Sequence, residues 1–165
     1  MEDTTVKSTT NHSVQINATT HATLRRCTIT PQGGPLSGGI SANTSFTGTL
    51  TIEDCTINSV IYGVVFQAST ASNPGLVQIS GSTITAPNGG VVYFDVSSAG
   101  NCMITNTTIN ATLAGGVTVS TSENHTITLS GCTLTANGNA SAAGNSIVMG
   151  GASSLNMVNT SLTQI

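Results

Sequence analysis

Charged and aromatic residues are scarce in this sequence. Only three Lys or Arg and six Asp or Glu occur among 165 residues, and there is no Trp. Three cations cannot neutralise a phosphate backbone, so the composition excludes a nucleic-acid-binding protein. No apolar run is long enough to span a bilayer, and residues 1–12 lack the apolar core of a secretory signal. The length fits one domain, and the 38% hydrophobic content predicts that this domain buries a core.

The sequence repeats one short pattern every 25–28 residues. The pattern reads CTIT at 27–30, CTIN at 55–58, STIT at 82–85, TTIN at 107–110, CTLT at 132–135 and TSLT at 160–163. Each copy follows an apolar–x–apolar stretch and two residues typical of turns, and alternation with period two indicates strands. The second turn residue is Asp, Gly or Asn in five of six copies, and these types tolerate left-handed backbone. These corner residues are Arg26, Asp54, Gly81, Asn106, Gly131 and Asn159.

A third alternating stretch opens each repeat. It occurs at 13–16, 39–42, 63–66, 90–96, 116–119 and 146–149, and Gly-, Asn- and Ser-rich segments of variable length separate it from its neighbours. Three strands per repeat, with length variation confined to loops, are typical of a parallel β-helix. We predict an all-β fold, a parallel β-helix of about six coils with three strands per coil. The predicted domain covers 13–165, after a polar N-terminal tail at 1–12.

The strand–corner–strand repeat resembles the right-handed parallel β-helix of bacterial autotransporter passengers and adhesins of the pertactin type, and more loosely that of phage tailspikes. The resemblance covers roughly 13–165. It implies a right-handed coil and a location outside the cell or at the cell surface. It concerns the architecture of the coil, and function has to be argued from surfaces and sites.

The few charges support the alignment of the coils. A shift by one 28-residue coil places Arg25 and Arg26 beside Glu53 and Asp54, so opposite charges become neighbours. The same four residues could form an active cluster, as in β-helix enzymes that degrade polysaccharides. The remaining acids lie on other coils, however, and paired-carboxylate hydrolysis then lacks its second member. We therefore expect structural ion pairs and no enzyme activity.

The imidazoles and thiols also fit structural roles. His12, His21 and His125 have no metal-ligand spacing to one another or to Cys, and we expect them in solvated loops. Cys27 and Cys55 fall in one inward column on consecutive coils, where in-register Cβ atoms lie slightly too far apart for a disulfide. We expect buried free thiols that pack as small hydrophobes. The sequence thus predicts no catalytic residue, no metal site and no cofactor.

The outward positions of the repeated tetrapeptide form two columns of hydroxyl and amide side chains. Stacking of coils about 4.8 Å apart aligns the members of each column. The first column is Thr28, Thr56, Thr83, Thr108, Thr133 and Ser161, and the second is Thr30, Asn58, Thr85, Asn110, Thr135 and Thr163. This Thr/Asn array resembles the water-ordering face of β-solenoid antifreeze proteins, although Thr is also a good β-former on any solvated strand.

Two apolar surfaces indicate self-association. A lateral stripe on the early strand consists of Val65, Val92, Phe94 and Val148, and exposed apolar strips usually mark interfaces. End coils without a cap present unpaired strand edges. The residues expected to form the interface at the end coils are Val14, Ile16, Leu155, Met157, Leu162 and Ile165.

These observations predict a non-enzymatic structural or adhesive protein that self-associates end to end or laterally into a fibre or surface layer. Its main partner is itself, surface glycans are a second partner class, and neither nucleic acid nor membrane insertion is expected. Three alternatives remain. The chain could be an ice-binding protein, a fragment of an autotransporter passenger or phage tailspike, or a carbohydrate-degrading enzyme.

Overall fold

The chain winds into a parallel β-solenoid with three strands in each coil. The computed structural model describes residues 1–8, 13–16, 21–31, 38–42, 48–67, 76–94, 101–113, 117–120, 125–136, 147–150 and 153–164. In these segments the regular structure is β-strand, without any helix. The strands pair in parallel and join successive coils. The predicted all-β architecture of about six coils is confirmed, whereas the right-handed sense of winding stays a prediction.

The strands form three sheets, named I, II and III in the order in which each coil crosses them. Sheet I contains β2 (Val14–Ile16), β5 (Ile40–Ala42), β8 (Tyr62–Gln67), β11 (Gly89–Phe94), β14 (Val117–Ser120) and β17 (Ile147–Met149). Sheet II contains β3 (Ala22–Arg25), β6 (Thr49–Glu53), β9 (Leu76–Ser80), β12 (Asn101–Thr105), β15 (Thr126–Ser130) and β18 (Ser154–Val158). Sheet III contains β1 (Thr5–Ser8), β4 (Thr28–Pro31), β7 (Thr56–Asn58), β10 (Thr83–Ala86), β13 (Thr108–Ala111), β16 (Thr133–Ala136) and β19 (Ser161–Gln164).

Left-handed backbone forms the corner between sheets II and III. All six predicted corner residues have positive φ, from 47° at Asn106 and Asn159 to 64° at Gly131. The corner still takes part in the ladder between coils, since the N–H of Arg26 donates to the carbonyl of Glu53 at 2.9 Å. The predicted corners are therefore confirmed. Arg26, the one residue whose type did not favour this conformation, adopts φ 50° like the others.

Branched aliphatic side chains fill the interior in columns that run along the solenoid. Burial alternates with period two along β6 and β15, as expected for strands with one face on a core. In sheet III the third position of the tetrapeptide is fully buried in five successive coils. This column is Ile29, Ile57, Ile84, Ile109 and Leu134. The predicted inward orientation of these positions is confirmed.

A column of small polar side chains lies just after the corner. The N–H of Cys55 donates to Oγ of Ser82 at 3.0 Å, and the N–H of Ser82 donates to Oγ1 of Thr107 at 3.4 Å. The Ser82 hydroxyl donates in turn to the carbonyl of Ser80 at 2.9 Å. These side chains satisfy buried backbone groups at the corner. Cys27 and Cys55 are buried free thiols, as predicted, and burial raises the pKa of the Cys55 thiol.

The N-terminal residues contribute a strand to the solenoid, which corrects the predicted polar tail at 1–12. Strand β1 pairs in parallel with β4, and the register places Val6 beside Ile29. Val6 is half-buried against the core, so it extends the aliphatic column of sheet III by one further strand. The last part of the predicted tail, 9–12, lies outside the described residues.

Candidate functional site

The coil formed by β17, β18 and β19 leaves inward apolar side chains exposed. Leu155 and Met157 of β18 are 37% and 39% exposed, and Leu162 of β19 is 46% exposed. Their register partners one coil earlier are fully buried; these partners are Ile127, Leu129 and Leu134. The contrast arises because no described strand covers this coil on its far side. Ile165, predicted with the same group, lies outside the described residues.

The same three strands are edge strands. Strands β17, β18 and β19 stand at one end of sheets I, II and III respectively. Each presents a row of backbone N–H and C=O groups that can pair with a further strand. The sequence has no charged residue from 147 to 165, so no like-charge repulsion opposes such pairing. We name this surface the C-terminal face and define it by β17, β18 and β19 with Leu155, Met157, Val158 and Leu162.

The opposite end of the solenoid is partly covered. Val14 and Ile16 of β2, which were predicted at this end, are half-buried and pack against the core. Strand β1 lies over β4 and makes sheet III one strand longer than the other two sheets. We name residues 1–8 the N-terminal segment.

An ion-pair network holds the N-terminal segment against the first coil. The guanidinium of Arg26 donates from Nε to Oδ1 and from Nη2 to Oδ2 of Asp3, both at 2.7 Å, and Nη2 also donates to Glu2. The hydrogen bond from Arg26 lowers the pKa of Asp3, and the two carboxylates raise the pKa of Arg26. Arg25 donates to Oε2 of Glu53 at 2.6 Å, as the sequence alignment predicts. Arg26, in contrast, turns away from Asp54 toward the N-terminal segment.

Sequence reasoning missed this segment, although its signal was present. EDTTVK at 2–7 matches EDCTIN at 53–58 in the corner acid, the Thr and the inward aliphatic residue. Asp3 has φ 47°, the value found at Asn106 and Asn159, so it is a seventh corner of the same kind. Glu2 bridges to Arg25 just before this corner.

The Thr/Asn array lies on the outer face of sheet III, in register from strand to strand. Thr83 stands beside Thr56 and Thr108, and Thr85 stands beside Asn58 and Asn110. Every member of the predicted array is exposed or half-buried. β1 extends the first column by Thr5, whereas the second column ends there in the cation Lys7. The array is therefore a continuous polar face along the solenoid.

The predicted lateral stripe is wrong at Val65, which is only 1% exposed. Its neighbour Val64 packs in the core, and successive side chains of a strand point to opposite faces. Sheet I is therefore covered on its outer face at this point as well. Ser41, the register partner of Val65 on β5, is buried too. The other side chains of the stripe, Val92, Phe94 and Val148, lie outside those that the structure describes.

Of the two histidines that the structure describes, His125 differs from the expectation of solvated loops, whereas His21 agrees with it. His125 is buried just before β15, and its backbone N–H donates to Oγ of Ser153 at 3.1 Å. His21 is exposed, and its Nδ1 accepts from the N–H of Thr49 at 3.2 Å. Both link one coil to the next, so their environment follows from the stacking. His12 is outside the described residues.

The acids of the candidate active cluster, Glu53 and Asp54, lie at the corner of one coil. Glu53 is engaged with Arg25, and Asp54 is exposed at its corner two residues before Thr56. Within the described segments there is no group of three His, Cys, Asp or Glu side chains that could hold a metal ion. Those segments also contain no helix able to cross a membrane. The surfaces that stand out are therefore the C-terminal face and the Thr/Asn array.

Comparison with known proteins adds no relative. No protein family, no curated protein and no solved structure matches this chain. The architecture, a parallel β-solenoid with a repeated coil, is shown by the structure itself. Function has to be argued from the surfaces described above.

Proposed function

We propose that this protein is a non-enzymatic structural β-solenoid that self-associates end to end. The observation that carries the proposal is the C-terminal face, where inward apolar side chains and the edges of three sheets are open together. A second copy is the occupant, because it offers three parallel sheets with the same cross-section and spacing. Such a head-to-tail contact repeats without closing and so produces a filament.

The side chains alone are too few to hold such a contact. Completing the burial of a half-exposed Leu or Met contributes roughly 1 kcal/mol. Three or four such residues barely offset an association cost of about 4 kcal/mol or more. Stable stacking therefore requires backbone pairing at all three edges, in the manner of one coil on the next within the chain.

The proposed place of action is outside the cell or at the cell surface, as for pertactin-type passengers and adhesins. The parallel coil, the scarcity of charge and the polar outer face support this placement. The hydroxyl and amide columns of sheet III offer hydrogen-bonding groups to surface glycans, the second partner class.

Two neighbouring substitutions on β19 test the proposal. Leu162→Asp places a charge on the inward position of the C-terminal face, whereas Thr163→Asp places it on the outer face of the same strand. We expect wild type and Thr163→Asp to form filaments with rising concentration, in sedimentation velocity and electron microscopy. Leu162→Asp remains monomeric over the same range, with an unchanged circular dichroism spectrum. A wild type that stays monomeric throughout, or assembly of Leu162→Asp at the wild-type level, rejects the proposal.

The in-register Thr/Asn array favours ice binding as a second candidate function. A rigid array with a repeat of about 4.8 Å can order water at regular spacing. We expect thermal hysteresis in the wild type and its loss in Thr83→Tyr, which places a ring in the middle of the array. Thr23→Tyr is the matched control, since Thr23 is an exposed Thr on sheet II. Absence of hysteresis in the wild type, or its retention in Thr83→Tyr, rejects this candidate.

A further inference from the structure

The two ends of the solenoid differ in their outline. At the C-terminal face the three sheets end together, each with a strand of the same coil. At the other end sheet III continues to β1, whereas sheet I ends at β2 and sheet II at β3. Residues 1–3 pair with part of β3: the N–H of Arg25 donates to the carbonyl of Met1 and the N–H of Asp3 donates to the carbonyl of Arg25, both at 3.0 Å, and the amino group of Met1 donates to the carbonyl of Thr23 at 2.7 Å. One end is level and the other is stepped by one strand.

A level face cannot pair fully with a stepped one. If β19 of one copy paired with β1 of the next, sheet III would continue without a gap. The edges of sheets I and II would then stand two strand spacings from their counterparts β2 and β3, about 9.6 Å rather than 4.8 Å. Only one of the three edges would be paired, which falls short of the backbone pairing that stacking requires.

We infer that the acceptor surface for the C-terminal face is the edge formed by β2, β3 and β4 of a second copy, and that the N-terminal segment occupies part of this surface and is displaced when copies stack. The inference rests on the proposed self-association and specifies which surfaces meet. In the free chain the N-terminal segment acts as a cap. Its Val6 lies beside Ile29, which is 0% exposed in its presence, and its first residues pair with the backbone of β3, where Leu24 is 2% exposed.

Strand lengths and side-chain columns match across the junction once the segment has left. Strands β17 and β2 have three residues each, β19 and β4 four each, and β18 and β3 five and four. Leu162 then continues the column that begins with Ile29, and Met157 continues the column that begins with Leu24. The inward side chains of these columns are apolar at the junction, and just after the corner Thr160 would lie beside Cys27, in the column of small side chains that also runs through the solenoid.

The exchange of strands favours the stacked state. Release of the N-terminal segment gives up the pairing of β1 with β4, the hydrogen bonds of residues 1–3 with β3, the half-burial of Val6 and the ion pair of Arg26 with Asp3 and Glu2. The arriving coil restores the ladder on β4 and adds ladders on β2 and β3. The ion pair is exposed to solvent, so its loss is a minor opposing contribution that salt reduces further. Three strand pairings replace one full pairing, on β4, and one partial pairing, on β3.

Adjacent residues of β1 provide the test variants. Val6→Ala weakens the inward contact of the N-terminal segment, whereas Lys7→Ala changes the outward residue next to it. We expect Val6→Ala to shorten the lag of filament formation about threefold to tenfold, because it raises the population with the segment open. Lys7→Ala assembles at the wild-type rate. Equal rates for Val6→Ala and wild type overturn the inference.

Amide hydrogen exchange gives a second readout on the unmodified protein. In the monomer, residues 4–8 and β4 are expected to be protected through their shared ladder. In filaments, residues 4–8 lose protection, β4 keeps it, and β2 and β3 gain it together with β17, β18 and β19. Retained protection of residues 4–8 in filaments overturns the inference but leaves self-association intact. Failure of the wild type to form filaments rejects the proposed function instead, so the two failures are distinguishable.

Discussion

Two leucines in neighbouring coils show how this fold stabilises itself. Leu134 of β16 and Leu162 of β19 are register partners in one inward column, yet Leu134 is 0% exposed and Leu162 is 46% exposed. Residue type, sheet and orientation are the same, and only the presence of a coil on the far side differs. Burial in this molecule therefore comes from the adjacent coil, and stability is a sum of contacts between nearest neighbours. Any coil that lacks a neighbour is a surface for binding one.

The largest expected effect compares these two leucines directly. Leu134→Ala leaves a cavity between two coils and should lower the free energy of unfolding by about 2–5 kcal/mol. Leu162→Ala removes a half-exposed side chain and should lower it by about 1 kcal/mol. Urea unfolding measures both free energies, at a protein concentration too low for the chain to assemble.

The difference between the two variants decides whether the comparison holds. Equal losses would mean that the last coil is as tightly packed as the interior, which contradicts nearest-neighbour burial. For Leu134→Ala we expect the same loss of unfolding free energy in filaments as in monomers, because both neighbouring coils are already present in the monomer. For Leu162→Ala the loss should rise in filaments, where that side chain gains a covering coil.

The second expected effect concerns space inside the coils. A Cβ added at Gly63 would lie 2.6 Å from the carbonyl oxygen of Gly90 and would also overlap Cγ2 of Ile84. Backbone from the next coil occupies that space and cannot move as a side chain can. We expect Gly63→Ala to destabilise the monomer by about 1–3 kcal/mol, although Gly→Ala at an open site usually stabilises.

A residue just before β8, the strand that contains Gly63, is the control. Val60→Ala changes a side chain that is 42% exposed, and we expect an effect of no more than about 1 kcal/mol. If Gly63→Ala proved neutral, the coils would have more freedom to separate than the structure shows, and the contrast between interior and end would weaken.

Sequence reasoning predicted the coil well because the same rule recurs six times. Period-two alternation gave the inward columns, and the Asp, Gly and Asn residues gave the corners, so each copy corroborated the others. The predicted exposure of Val65 is wrong for a different reason. The outer face of a strand is buried or exposed according to what lies over it, and alternation along the strand carries no information about that covering.

The N-terminal segment shows a second limit of sequence reasoning. Each full repeat begins with an early strand, whereas residues 2–7 carry only a corner and a third strand. A pattern of whole repeats therefore predicts a tail there. His125 shows a third limit. It lies at the start of β15, and the stacking against Ser153 in the next coil, rather than its own polarity, sets its burial.

The smallest expected effect concerns the cap that distinguishes the two ends. Because Arg26 lowers the pKa of Asp3 in the folded state, this contact contributes stability above the ordinary pKa of 3.8 and loses it as pH falls through the lower folded value. Between pH 6 and pH 3, exchange protection of residues 4–8, corrected for intrinsic rates, should decline in the wild type.

In Asp3→Asn this protection should be low at both pH values, since Asn keeps the left-handed corner but cannot carry the charge. Asp54→Asn, at an equivalent corner without an ion pair in the described segments, should behave as wild type. Protection in Asp3→Asn equal to wild type at pH 6 would mean that strand pairing alone holds the N-terminal segment, and the acid-sensitive difference between the ends would disappear.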